Sequence, residues 1–163
     1  MRTKFIFGLL LLLTMTLMLS TCSTNDDINI NDNSLEIKEI KNAVQSGVWK
    51  ITSYIESGVD ETGSYAGYSF TFNTNGTLTA TNGTNTVNGT WSITDDSKSN
   101  DDSNDSNNSN DIDFNIFFSS PAMFNNDLTE DWEIVTHNNT KVELIHKSGG
   151  DATIDNLTFE KIS

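Results

Sequence analysis

The chain has 163 residues, of which 9 are Lys or Arg and 23 are Asp or Glu, a formal net charge of −14. A surface of that sign repels phosphate backbones and anionic lipid head groups, which excludes nucleic acid as a partner and argues against electrostatic adsorption to a membrane. The single cysteine leaves no disulfide within the chain.

Taken in chain order, the first segment has the physics of an export signal. Met1-Arg2-Thr3-Lys4 is positive, Phe5 to Leu19 is apolar with an unbroken leucine run from Leu9 to Leu13, and Ser20 and Thr21 are small. The apolar stretch falls short of the roughly 20 residues that a membrane span needs, and no positive flank follows it. Leu19-Ser20-Thr21-Cys22 resembles the lipobox of bacterial lipoproteins, with Thr21 where glycine or alanine is commonest. That resemblance implies cleavage before Cys22 and lipid on its thiol, a thiolate being the nucleophile such chemistry requires. The expected organisation is a lipoprotein signal peptide over 1–21, a flexible tether over 22–33 and one domain over 34–163. Arg2 and Lys4 leave with the signal, so the mature part keeps 7 basic against 23 acidic residues, a net of −16. Asp26-Asp27, close behind Cys22, resembles the tag that sends some lipoproteins to the outer face of the outer membrane. The expected address is therefore the cell envelope as an outer-membrane lipoprotein, facing either the periplasm or the exterior.

Residues 34–45 carry Leu35, Ile37, Ile40 and Val44 at helical spacing, with Asn33 or Ser34 to cap the start and Gly47 to end the helix. From there the pattern is strands. Trp49, Ile51 and Ile55 alternate with Lys50, Thr52 and Tyr54. Tyr68, Phe70 and Phe72 form the next run, and Asn75-Gly76 is a two-residue hairpin signal. Leu78 and Ala80 precede a turn at Asn82-Gly83. Val87, Trp91 and Ile93 then share a face with Gly89. Asp95 to Asp111 has no apolar residue and reads as a disordered acidic loop. Its Asp101-x-Ser103-x-Asp105 spacing lacks the glycine and the closing glutamate of a calcium loop. Ile112, Phe114, Ile116 and Phe118 alternate next, and Pro121 to Leu128 reads as a loop with a helical turn. Trp132 and Ile134, Val142 and Leu144, and Leu157 and Phe159 complete the runs, with turns at Asn138-Asn139 and Gly149-Gly150. Period-two alternation in about eight short runs predicts an all-β, antiparallel, up-and-down barrel of eight strands behind a short N-terminal helix. A barrel of that size fills itself with side chains or holds one small ligand.

Gly47-Val48-Trp49, just after the helix, resembles the Gly-x-Trp signature of lipocalins. Gly67-Tyr68-x-Phe70-x-Phe72, Gly89-Thr90-Trp91, Asp131-Trp132-x-Ile134 and Leu157-Thr158-Phe159-x-Lys161 resemble the lipocalin-like domains found on bacterial lipoproteins, over about residues 45 to 162. The resemblance implies a barrel with an apolar pocket and names no substrate. The arginine that lipocalins pack across the first-strand tryptophan has no counterpart, since the only arginine is Arg2.

Catalytic signatures are missing from the sequence, which predicts a non-enzymatic protein without metal or cofactor. His137 and His146 have no Cys, Asp or Glu at metal-ligand spacing. Glu130 and Asp131 are adjacent, so on a strand they point to opposite faces. The candidate residues are Cys22 for lipidation and an aromatic set, Trp49, Tyr68, Phe70, Phe72, Trp91, Phe114, Phe118, Trp132 and Phe159. Two readings of that set stand, the lining of a ligand cavity or a filled core. The first makes the protein a lipid-anchored, monomeric barrel that binds a small hydrophobic molecule. The second makes it a structural or interaction module that meets a protein or glycan through its loops.

Overall fold

Alternating apolar side chains give a sheet one oily face, and a sheet that closes on itself buries that face without a second layer. A computed structural model of the chain describes residues 33–95, 112–149 and 153–163. The signal segment, Cys22, the tether through residue 32, the acidic stretch 96–111 with the Asp101, Ser103 and Asp105 spacing, and residues 150–152 lie outside the described residues.

Nine described strands form one antiparallel sheet. They are β1 (Trp49–Glu56), β2 (Val59–Asp60), β3 (Ser69–Phe72), β4 (Thr77–Thr81), β5 (Thr86–Asp95), β6 (Ile112–Phe117), β7 (Glu130–His137), β8 (Lys141–Lys147) and β9 (Ile154–Lys161). Neighbours run β2-β1-β3-β4-β5-β6-β7-β8-β9, and β9 returns to pair with β1 from Trp49↔Lys161 to Ile55↔Asn156. Eight strands thus close the expected up-and-down barrel. The ninth, β2, is folded back onto the end of β1 by Ser57 and Gly58, both in the left-handed region that a tight hairpin turn requires. Asp95, first residue of the acidic stretch, still pairs with Ile112 and ends β5.

β1 departs from the expected alternation. Its register against β9 slips between Ile51 and Ser53, a bulge that turns every later side chain to the other face. Tyr54, expected outward, is therefore 1% exposed, and Ile55, expected inward, is only half buried. The Asn75-Gly76 signal makes a three-residue loop rather than a two-residue one. The Asn73 N–H donates to the Thr77 carbonyl at 2.9 Å, and Gly76 takes the left-handed position at φ 82°.

Two helices close the barrel ends. α1 (Ser34–Gln45) lies at the end where β1 begins and β9 finishes, with Ile40, Ala43 and Val44 buried. Asn33 is its N-cap residue, but the side chain donates to Asp95 Oδ1 at 3.3 Å instead of capping the helix. Gly47 is not a left-handed helix stop either, because Ser46 ends α1 in a right-handed conformation. Gly47 is needed for close approach: a Cβ there would fall on the Ser163 carbonyl oxygen and lie 2.9 Å from the Lys161 side chain. The opposite end is covered by a 3-10 turn over Thr62–Tyr65 and by α2 (Ala122–Leu128), which buries Phe124 and Leu128.

Candidate functional site

Of the nine aromatic residues singled out from the sequence, eight are buried and Tyr68 is half buried against them. Five of them, Phe70, Phe72, Trp91, Phe114 and Phe159, pack directly against one another in the barrel interior. Phe72 is the centre, edge-to-face with Trp91 and Phe114 at 5.4 Å each and with Phe159 at 5.5 Å. Phe70 meets Phe159 at 5.3 Å. Such ring separations leave no room for a molecule between them.

Three further aromatics, missed by the sequence reading, finish the plug. Phe124 of α2 reaches Phe118 at 5.0 Å, Tyr68 at 5.1 Å and Tyr65 at 5.6 Å, and Tyr65 stands edge-on to Tyr54 at 5.6 Å. Tyr54 is hidden from sequence by the bulge, and Tyr65 lies in a glycine-flanked turn with no period. Phe124 and Leu128 did carry a signal, a spacing of four within Pro121 to Leu128.

The polar atoms of this core are placed at its ends. The indole N–H of Trp49 donates to the Val44 carbonyl at 2.8 Å, that of Trp91 to Asn73 at 3.0 Å and that of Trp132 to Leu128 at 3.2 Å. Each bond fixes a helix end or hairpin loop to the barrel. The Tyr54 hydroxyl donates to the Asp127 carbonyl at 3.0 Å, and the Tyr65 hydroxyl to Asp127 Oδ2 at 2.9 Å. Burial first, then neighbouring acidic groups, raise both phenols well above the usual tyrosine range, so they stay neutral donors.

A cation does pack on the first-strand tryptophan, and it is Lys161. Its ammonium lies 5.1 Å over the Trp49 ring and donates to Ser46 Oγ at 2.8 Å. The cross-strand pair Trp49↔Lys161 supplies the cation from β9. Replacing Lys161 with Gln is expected to lower stability by about 0.5–1 kcal/mol, the usual worth of an exposed cation–π contact, read as a shift in a urea midpoint. No change would mean that the ammonium over Trp49 adds nothing to stability.

The rim at the α2 end gathers ionisable groups. His146 on β8 has Asp155 of β9 as its cross-strand partner. Its Nδ1 lies 3.8 Å from Asp155 Oδ2, and its Nε2 lies 3.4 Å from Glu130 Oε2 and 3.9 Å from Asp131 Oδ1. Asp155 is itself held, since Oδ1 accepts the Ser57 N–H at 2.7 Å. Glu130 and Asp131 were expected to diverge, yet one oxygen of each lies with Nε2 in a group whose atoms are all within 4.8 Å of one another. Adjacent side chains diverge from a strand interior; Glu130 is the first residue of β7, where the α2 connection ends. Glu56, nearby on β1, has its carboxyl raised by burial and then by the charges of Asp127, Asp155 and Glu61. His137, by contrast, makes one ion pair among the described residues, with Glu36 of α1 at 3.6 Å.

No family model matches the chain, and no curated protein matches its sequence. A solved structure of a DUF4847 family protein from Bacteroides vulgatus is similar at 16% identity with a TM-score of 0.44, over 76% of this chain and 99% of that one. The assignment of the barrel rests on the closed strand pairing of the chain itself.

Depressions do exist, on the outside. One of about 530 Å³ lies beside the rim between Trp91, Asn115, Phe117, Thr129, Glu130 and Asp131. Another of about 490 Å³ opens where β1 and β3 part, against Ile51, Tyr65, Tyr68 and Gly67, with Lys50 at its edge.

Proposed function

We propose that the mature chain is a lipid-anchored cell-envelope lipoprotein whose filled, lipocalin-like barrel serves as a non-catalytic interaction module. The observation that carries this reading is the interior, where Phe72 and its partner rings sit edge-to-face at 5.4 to 5.5 Å. An apolar cargo inside would have to displace them. Lys161 over Trp49 supports the lipocalin likeness, since a cation again packs on the first-strand tryptophan. The polar loops and the acidic rim are what the module offers to a protein or glycan, and its net charge of −16, from 7 basic and 23 acidic residues, turns nucleic acid away.

One observation favours small-molecule carriage as the second reading, the 490 Å³ groove walled by Tyr65 and Tyr68. Native mass spectrometry of the protein purified from its own envelope separates the two. The lipidated chain alone is the expected species; a stoichiometric apolar molecule that co-purifies repeatedly would replace the first reading by the second.

The anchor has its own test. Wild-type protein is expected in the membrane fraction, labelled by a fatty-acid probe, and Cys22→Ala is expected unlabelled, unprocessed or released. A label that persists in Cys22→Ala removes the lipoprotein assignment. Protease shaving of intact cells then reads the Asp26-Asp27 tag: loss of the domain places it outside the cell, and survival places it in the periplasm.

A further inference from the structure

We propose that His146, Glu130 and Asp131 form a binding site for a divalent transition-metal ion of the zinc class, on the barrel rim beside α2. Nothing in the interaction-module reading requires this site.

The argument starts from spacing. Donor atoms bound about 2.0–2.1 Å from a tetrahedral ion stand roughly 3.3–3.4 Å apart. His146 Nε2 is 3.4 Å from Glu130 Oε2 and 3.9 Å from Asp131 Oδ1. Both separations are longer than good hydrogen bonds and suit atoms that share an ion.

The second element is orientation. A ligating imidazole is held by a carboxylate at its other nitrogen, which fixes the tautomer and aims the free nitrogen at the metal. Asp155 Oδ2 stands on the Nδ1 side at 3.8 Å, beyond hydrogen-bond reach but close enough for its charge to favour the proton on that nitrogen, and the Ser57 N–H keeps its other oxygen in place at 2.7 Å. The Trp132 ring lies against the imidazole, centroids 6.0 Å apart, and limits its rotation. Nε2 is thus the nitrogen left to face Glu130 and Asp131.

The third is charge. The nearest lysine on β8, Lys147, is committed to Glu133 at 2.8 Å. Glu130, Asp131 and Asp155 share the imidazole, and a dication there would offset their mutual repulsion. One imidazole with two carboxylates selects zinc and its first-row neighbours over magnesium or calcium, which prefer oxygen alone. The side chain of Asp131 is 71% exposed. With three protein ligands and an open outer side, the ion keeps a position for water or for a donor from a partner.

The test is titration of the purified full-length protein with zinc chloride against a chromophoric chelator. One zinc per chain is expected. His146→Gln and Glu130→Gln should weaken binding at least about 10-fold, and Asp155→Asn by about 10- to 100-fold through loss of the orienting carboxylate. His137→Gln, which removes the histidine outside the rim group, should change nothing. Binding should weaken as pH falls, because protons compete with the ion for the ligand atoms. Should a variant fail to fold, imidazole nitrogen shifts of the wild type decide: zinc should move those of His146 and leave His137 unmoved. Diffuse binding without stoichiometry, stoichiometric binding that survives His146→Gln, or an unmoved His146 resonance would each overturn the site.

Discussion

Phe124→Ala is expected to lower the unfolding free energy by about 3–5 kcal/mol, the usual cost of emptying a buried phenylalanine site. Phe124 is fully buried, although α2 is only seven residues long and too short to be stable by itself. Its ring is the contact through which that helix holds Phe118, Tyr68, Tyr65 and Phe70, at 5.0, 5.1, 5.6 and 6.3 Å. The other ties of α2 are the smaller buried side chain of Leu128 and hydrogen bonds from Tyr54 and Tyr65 to Asp127, from Trp132 to Leu128 and from Asn125 to the Phe118 carbonyl, each bond worth about 1 kcal/mol net. They cannot replace the ring. Equilibrium urea unfolding measures the loss, and a value below about 1 kcal/mol would show that α2 does not seal the barrel. The same variant has a second readout. A vacated apolar site stays dry and takes small apolar molecules, so Phe124→Ala is expected to bind a hydrophobic dye that the parent ignores.

Gly89→Ala is the second large effect, expected at about 1–3 kcal/mol from overpacking, the smallest possible side chain notwithstanding. Gly89 lies on β5 between Val87 and Trp91, on the inward face, and pairs with Leu78. A Cβ there would meet the Phe117 carbonyl oxygen and stand 2.6 Å from the Phe118 ring. The ring is pinned in turn by Phe124, and the oxygen belongs to the backbone of β6, so neither yields cheaply. Gly63→Ala is the control, because nothing lies within 4 Å of a Cβ at that position. Equal losses in the two variants would mean that chain flexibility, not crowding, sets the cost at Gly89.

The helix over Ser34–Gln45 and the faces of most strands are legible in the sequence because periodicity is a local property. Phe70 and Phe72, Leu78 and Ala80, and Leu157 and Phe159 all point inward as the alternation predicts. Tyr54 is not legible, since a bulge depends on how β1 aligns with β9, over a hundred residues away in the chain. The aromatic set is legible as a set, but periodicity gives direction and not volume. Whether rings surround a space or fill it depends on their mutual angles, and on the lids that bring in Tyr65 and Phe124. The rim group is hidden for a related reason. His146 and Asp155 meet through strand pairing, and Glu130 and Asp131 come from a third strand at its very start. No spacing along one segment records such a meeting.

The pairing of β1 with β9, from Trp49↔Lys161 to Ile55↔Asn156, also sets the order of events when the chain is made. A chain emerging N-terminus first has no partner for the outer edge of β1 until its final strand arrives. Closing so long a loop is slow compared with forming a neighbouring hairpin. Until then the open edges and the aromatic face stay exposed to solvent. The same closure that removes the sheet's edges thereby makes the barrel's stability conditional on its last strand, since β1 keeps an open edge until residues 154–161 are in place.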